Sequence, residues 1–184
     1  MNKQASNTSK IIKAFIVSFV SLIVLILIAA VFFPKTYEVS RSIEIKAPTR
    51  KIFPLVADFS KWNQWSPWFE VEPSAQFIQE GTSGKTGSTF EWNGKIIGKG
   101  RMTLTEIQDL HKLTMHLKFE KPRGMESNSE FLFESKTETT LVTWTDRGNL
   151  SYPMGRIFKK YINQMIGRDF EQGLTKLKAS AEKP

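Results

Sequence analysis

PMGRIFKKYINQMIGRDFEQGLTKLKA, Pro153 to Ala179, is the stretch that decides the fold. Met154, Ile157, Phe158, Tyr161, Ile162, Met165, Ile166, Phe170, Gly173, Leu174 and Leu177 recur at spacings of three and four. Arg156, Lys159, Lys160, Arg168, Glu171, Lys176 and Lys178 fall mostly on the other side, which is the pattern of an amphipathic helix. Pro153 suits the first turn, where a missing amide hydrogen costs least. A helix of roughly 25 residues with one apolar stripe needs a concave partner to cover that stripe.

The chain upstream supplies a sheet. In YEVSRSIEI, Tyr37, Val39, Arg41, Ile43 and Ile45 share one face, the period of two of a half-buried strand. Lys46 to Thr49 ends it, and RKIFPLVA, Arg50 to Ala57, predicts a short helix with a stripe of Ile52, Phe53, Leu55 and Val56. Pro54 should kink or shorten that helix, because proline lacks the donor and clashes with the preceding turn. Asp58 to Trp65 predicts a second short helix or turn.

Further strands are predicted over Ser74–Gln79, Ser88–Trp92, Ile97–Ile107, Lys112–Phe119, Ser127–Ser135 and Thr139–Arg147, with breaks at GTSGKTG, NGK and KPRGM. Leu113, Met115, Leu117 and Phe119 alternate with Thr114, His116 and Lys118. That alternation belongs to an antiparallel sheet with one face on a core and one toward water.

Residues 1–36 are different. AFIVSFVSLIVLILIAAVFF, Ala14 to Phe33, has no charge, and at about 1.5 Å per residue a helix of this length crosses a hydrocarbon core roughly 30 Å thick. A cleavable signal peptide has a shorter apolar region and a small-residue cleavage site. Here Ala29 and Ala30 run into Val31, Phe32 and Phe33, so the segment reads as a retained single-pass anchor. Lys3, Lys10 and Lys13 precede it, placing residues 1–13 in the cytoplasm and the C-terminal domain outside, in the cell membrane. Pro34 to Thr36 then form a linker.

The net charge of +8 divides along the chain: residues 1–36 carry four lysines and no acid, and the remainder has 22 basic and 18 acidic side chains. A domain so nearly balanced, with no basic cluster beyond Arg156, Lys159 and Lys160, is weak evidence for a polyanion partner, and no nucleic acid is expected. The absence of cysteine removes disulfides, thiolate metal sites and thiol nucleophiles. His111 and His116 lie an odd number of residues apart and point to opposite faces of a regular strand, so a zinc site is not expected. No Gly-x-Ser-x-Gly, phosphate loop or dinucleotide fingerprint occurs. No cofactor or metal is expected. Asp146, followed by Arg147 at a strand end, is the acid to inspect first for proton transfer, with a solvated ion pair as the expected state.

The order strand, two short helices, strand meander and long C-terminal helix is the helix-grip arrangement, an α+β fold. SIEIKAPTRKIFPLVADFSKWNQWSPW, Ser42 to Trp68, resembles the opening of the SRPBCC, or START-like (Bet v 1-like), superfamily in its polyketide cyclase/dehydrase and lipid-transport branch. The shared features are Ala47-Pro48 after the strand, Phe53 in the helix, Asp58, and the Trp62-x-x-Trp65 pair. GKGRMTLTEI, the TLVTW strand and the ending GLTKLKASAE also look like that branch, and the likeness covers about residues 37–182. The resemblance implies a curved antiparallel sheet wrapped around the C-terminal helix with a deep apolar cavity between them. It does not imply one reaction, because the superfamily mixes enzymes, lipid carriers and ligand sensors.

The expected lining follows from that arrangement. Trp62, Trp65 and Trp68 either plug the end of the sheet–helix sandwich or flank the mouth of a cavity; aromatic rings bury much area with few rotamers to freeze. Phe90, Trp92, Met115, Leu117, Phe119, Phe131, Phe133 and Trp144 alternate along strands, and Met154, Phe158, Tyr161, Ile162 and Met165 repeat at helical spacing. All are candidates to line a groove for an apolar guest. The expectation is a membrane-anchored, non-catalytic binder of a hydrophobic small molecule or lipid. The alternatives are a cyclase or hydratase using Asp146, Tyr161 or a histidine in the same pocket, and an envelope interaction domain whose groove its own side chains fill.

Overall fold

A computed structural model of the chain describes residues 3–121 and 124–183; Met1 and Asn2 of the predicted tail, Pro122 and Arg123 of the KPRGM break, and Pro184 lie outside the described residues. Seven strands form one antiparallel sheet: β1 Thr36–Ile45, β2 Gln76–Glu80, β3 Thr89–Asn93, β4 Lys99–Gln108, β5 Lys112–Lys121, β6 Met125–Ser135 and β7 Thr140–Asn149. Their order is β1-β7-β6-β5-β4-β3-β2, so the first strand pairs with the last and closes one edge. The helices are α1 Lys3–Val31, α2 Thr49–Ala57, α3 Trp68–Val71, α4 Met154–Ile157 and α5 Lys159–Ala181, with a 3₁₀ helix at Phe59–Gln64. This is the expected α+β helix-grip fold.

The period of two sets which residues face α5. Trp144 sits opposite Phe131 on one side and Arg41 on the other, and Val142 sits opposite Phe133 and Ile43. Apart from Arg41, which pairs with Glu171 of α5, the row that the sheet turns toward the helix is thus apolar and aromatic. Phe170 of α5 lies flat on Trp144, with centroids 3.9 Å apart and planes 9° from parallel, and Trp144 in turn stacks on Phe131 at 4.6 Å. Gly173 makes this approach possible, because a Cβ there would come 3.0 Å from Cζ3 of Trp144.

The long C-terminal helix is irregular at Phe158, where φ is −92° and ψ is 13°. The chain does not reverse there. Phe158 N–H still donates to the Met154 carbonyl at 2.9 Å, and Ile162 N–H to the Phe158 carbonyl at 3.0 Å. Only the second half of α5 is buried on the sheet, through Gly167, Phe170, Gly173, Leu174, Leu177 and Ala181. In the first half Tyr161 and Met165 are exposed, while Ile162 and Ile166 are half-buried against the core.

Within α1, Lys10–Val31 is long and apolar enough to cross a membrane. The helix meets the domain at its end: Ala30 is buried, and Tyr152 Oη donates to the Leu27 carbonyl at 2.8 Å. The predicted linker is not slack. Thr36 already pairs with Asn149 in β1, and Leu150 N–H donates to the Lys35 carbonyl at 2.8 Å.

Candidate functional site

The tryptophan run is tied to α2 by its polar edges. The last carbonyls of a helix have no partner within it. Trp62 Nε1 donates to the Val56 carbonyl and Trp65 Nε1 to the Leu55 carbonyl, each at 2.8 Å. Asp58 holds the start of the 3₁₀ helix by accepting from Ser60 N–H at 3.0 Å. Both indoles therefore cap the C-terminal end of α2 while their rings, fully buried, enter the core.

Beside this anchor point lies a partly enclosed apolar cavity of about 90 Å³. Trp62, Trp68 and Phe69 form one wall; Phe77, Phe90, Trp92, Met102, Leu117 and Phe119 of β2 to β5 form the other, with Ile97 and Ser66 at its margins. Phe69 stacks on Phe77 at 4.1 Å, and Trp92 meets Phe119 edge-on at 5.4 Å. Gly100 lets the Trp92 indole lie flat against β4; a Cβ there would collide with the ring and come 2.8 Å from the Lys118 carbonyl.

A buried carboxylate fixes the rim. Glu72, just after α3, accepts from the N–H groups of Lys95, Ile96 and Ile97 at 2.8, 2.8 and 3.1 Å, which pins the β3–β4 turn over the cavity. These backbone donors hold its carboxyl below the usual range.

The expected lining residues therefore divide. Trp62, Trp68, Phe90, Trp92, Leu117 and Phe119 border the cavity. Trp65, Met115, Phe131, Phe133 and Trp144 are buried in the core and do not border the cavity. The groove between sheet and helix, where the cavity was expected, is filled there by the Phe131–Trp144–Phe170 stack, and no residue of α5 lines the cavity. Met154 on α4, Phe158 at the junction, and Tyr161 and Met165 on α5 are exposed, and Ile162 is half-buried. The helical spacing of these residues is real, but the sheet leaves the start of the stripe partly uncovered.

Phe69, Phe77, Ile97, Met102 and Ser66 were missed as lining. Phe77 and Met102 sit inward on strands already predicted, so alternation identifies them. Phe69 lies in a one-turn helix, too short for periodicity to register.

Among the acids, Asp146 departs from expectation. It faces the core rather than water, where Tyr37 Oη donates to Oδ2 at 2.7 Å and Oδ1 has no partner. Burial raises its pKa, and burial together with the neighbouring carboxylate raises that of Tyr37. Arg147 points the other way and pairs with Glu38 at 3.1 Å and Glu130 at 3.8 Å, so the expected Asp146–Arg147 ion pair does not form. Tyr37 and Ser127 border a separate polar cleft of about 500 Å³ at this end of the sheet. Tyr161 is exposed, and His116 lies outside the core against Asn128 at 3.1 Å. Among the described residues no three His, Asp or Glu side chains come together as a metal site.

Comparison with known proteins agrees with this architecture. The model of the family described as polyketide cyclase / dehydrase and lipid transport matches residues 36–182. None of the curated proteins matches the sequence. Among solved structures, protein jhp0584 from Helicobacter pylori superposes with a TM-score of 0.63 at 14% identity, covering 79% of this chain and 88% of that one. Protein CV1439 from Chromobacterium violaceum gives 0.58 at 13%, covering 82% and 100%. DynU16, from the dynemicin biosynthetic locus, gives 0.58 at 13%, covering 79% of this chain; the chain spans 47% of DynU16. At such identities the likeness is one of fold.

Proposed function

We propose, from the premise that this chain belongs to the polyketide cyclase/dehydrase and lipid transport family, that it binds an apolar group in the aromatic cavity while α1 holds it in a membrane, without covalent chemistry. The observation that carries the reading is the ring of Trp62, Trp68, Phe77, Phe90, Trp92 and Phe119 around unfilled space. A well-packed interior leaves few voids larger than a water molecule. Here a void of about 90 Å³ persists between two walls that separate hydrogen-bonded frameworks hold apart: the indole bonds to α2 on one side and the sheet on the other.

The size selects the guest. An apolar cavity of about 150 Å³ takes benzene or xenon. This one suits a slender apolar group, such as a short stretch of alkyl chain or the edge of a ring, with the remainder of the molecule outside. Four methylenes at ~0.8 kcal/mol each give roughly 3 kcal/mol before ordering costs. A useful affinity therefore requires further contacts beyond the mouth.

Support for membrane attachment is the length and apolarity of Lys10–Val31 and its exposure along nearly its whole length. The test is to purify the full chain in nanodiscs and identify bound compounds by mass spectrometry, beside Leu117→Trp, which fills the cavity. The reading expects an apolar compound that is not a disc lipid, retained by the native chain and lost from the variant. Equal retention by both chains overturns it.

One observation favours a second reading, proton transfer in a cyclase-type reaction. Asp146 is a buried acid with a raised pKa, joined to a tyrosine that reaches a polar cleft. Such a pair can pass a proton between an oxygen of a guest in the cleft and the carboxylate. The two readings use different spaces, so Leu117→Trp and Asp146→Asn separate them.

A further inference from the structure

We propose that the cleft where α1 meets the domain binds the phosphate of an anionic lipid headgroup. The cleft measures about 650 Å³ and is bounded by the chain leaving α1, by β1, and by α4 with the start of α5. Arg156, Lys159 and Lys160 enter it from one side and Arg41 from the other. Glu38 is the acid on its wall, and its carboxylate is taken by Arg147 at 3.1 Å. Arg41 is occupied by Glu171 at 2.5 Å. Among the described residues, Lys159 and Lys160 form no salt bridge, so the cleft keeps an excess of uncommitted positive charge.

Two further atoms point to a ligand. Arg156 Nε, a donor, and Asn163 Oδ1, an acceptor, are buried beside the cleft without hydrogen-bond partners. Buried polar atoms are normally satisfied, and an orphaned donor on a guanidinium is costly. A headgroup that carries both a phosphate and a hydroxyl satisfies both. The guanidinium donates to a phosphate oxygen in the manner for which arginine is suited, and the amide oxygen accepts from the hydroxyl. Phosphatidylglycerol has this chemistry.

Position argues for a lipid rather than a free phosphate. Tyr152, four residues before Arg156, bonds to the Leu27 carbonyl, one turn inside the end of the apolar run. With α1 across a bilayer, α4 and the cations after it lie at the depth of the headgroups. Met154 and Phe158, exposed on the same segment, face the acyl boundary. The inference rests on the proposed membrane span and is independent of the aromatic cavity.

The experiment uses the full chain in nanodiscs holding phosphatidylcholine and phosphatidylglycerol in equal amounts, released for native mass spectrometry. The expected result is retention of phosphatidylglycerol over phosphatidylcholine by about tenfold. The triple variant Arg156→Gln/Lys159→Gln/Lys160→Gln should bring the ratio to parity with an unchanged melting temperature. A control variant with the same loss of charge outside the cleft, Lys95→Gln/Lys112→Gln/Lys118→Gln, should keep the preference, as should Leu117→Trp. Parity in the native chain, or equal loss in the control, overturns the site. Displacement of the lipid by millimolar inorganic phosphate overturns the assignment to a lipid. A chain that does not stay with the discs overturns the membrane span on which the site depends, while leaving the aromatic cavity to its own test.

Discussion

Ser66 offers the sharpest perturbation of the cavity. It follows the 3₁₀ helix, lies at the cavity margin, and has a buried hydroxyl without a hydrogen-bond partner. An unpaired buried hydroxyl costs about 1–3 kcal/mol, so Ser66→Ala should raise stability by about 1 kcal/mol. Ser66→Val removes the same hydroxyl and places two methyl groups in space that is already open. At ~0.8 kcal/mol for each buried carbon, the total gain is roughly 2 kcal/mol after some loss to imperfect packing. For a chain of this size 1 kcal/mol moves the melting temperature by about 2–4 °C. Thermal unfolding followed by tryptophan fluorescence should therefore rise by about 2–4 °C for the alanine variant and about 4–8 °C for the valine variant. Binding should move the other way, because the two methyl groups occupy much of a cavity of about 90 Å³. Quenching of tryptophan fluorescence by a short bromoalkanol, which reports on Trp62, Trp68 and Trp92 at the wall, should weaken about tenfold in the valine variant and little in the alanine variant. A valine variant less stable than the alanine one would refute the reasoning, since it would mean that no free volume lies at this position.

The remaining expectations concern the frame around the cavity. Glu72→Ala orphans the three amides of Lys95, Ile96 and Ile97, so hydrogen exchange there should speed up while β6 and β7 stay protected. The folded carboxyl of Glu72 is held below its ordinary 4.5, so its contribution is present above that value and is lost as pH falls through the lower folded one; exchange in the native rim should rise in that acid window. Asp146 is the opposite case: burial raises its folded pKa, so the stability tied to its protonated form is full below 3.8 and fades as pH rises through the folded value. Asp146→Asn should therefore gain on the native chain as pH climbs toward neutrality, read from unfolding midpoints across pH. Phe170→Ala should cost about 3–5 kcal/mol, because it opens the stack on Trp144. Met165→Ala, on the exposed part of the same helix, should stay within about 0.5 kcal/mol by the same denaturation assay.

How far the sequence carries the reading differs between elements. The sheet is legible because Val39, Met115, Phe131 and Trp144 keep a strict period of two. The meander order and the C-terminal helix follow from turn residues and a stripe at three and four. The cavity's place is not legible, because periodicity reports that a side chain is apolar and on a given face, not whether it meets a partner or a void. Phe131 and Trp92 look alike in sequence; one stacks under Trp144, and the other borders open space only because Gly100 lets it lie flat. The role of Glu72 was invisible for a related reason, since its partners are main-chain amides from a distant turn and backbone donors carry no residue signature. Asp146 misled through its neighbour: adjacent residues on a strand face opposite ways, so Arg147 was never placed to reach it.

Open space inside the aromatic ring is what the proposed binding requires. The direct measurement is a crystal structure of the full chain soaked with a short bromoalkanol, phased at the bromine edge. A bromine peak between Trp62, Trp68 and Trp92, with the surrounding rings unmoved, is the predicted result. A peak confined to the surface of α1 or the solvent, with Phe69 and Phe77 collapsed onto Trp62, would contradict it.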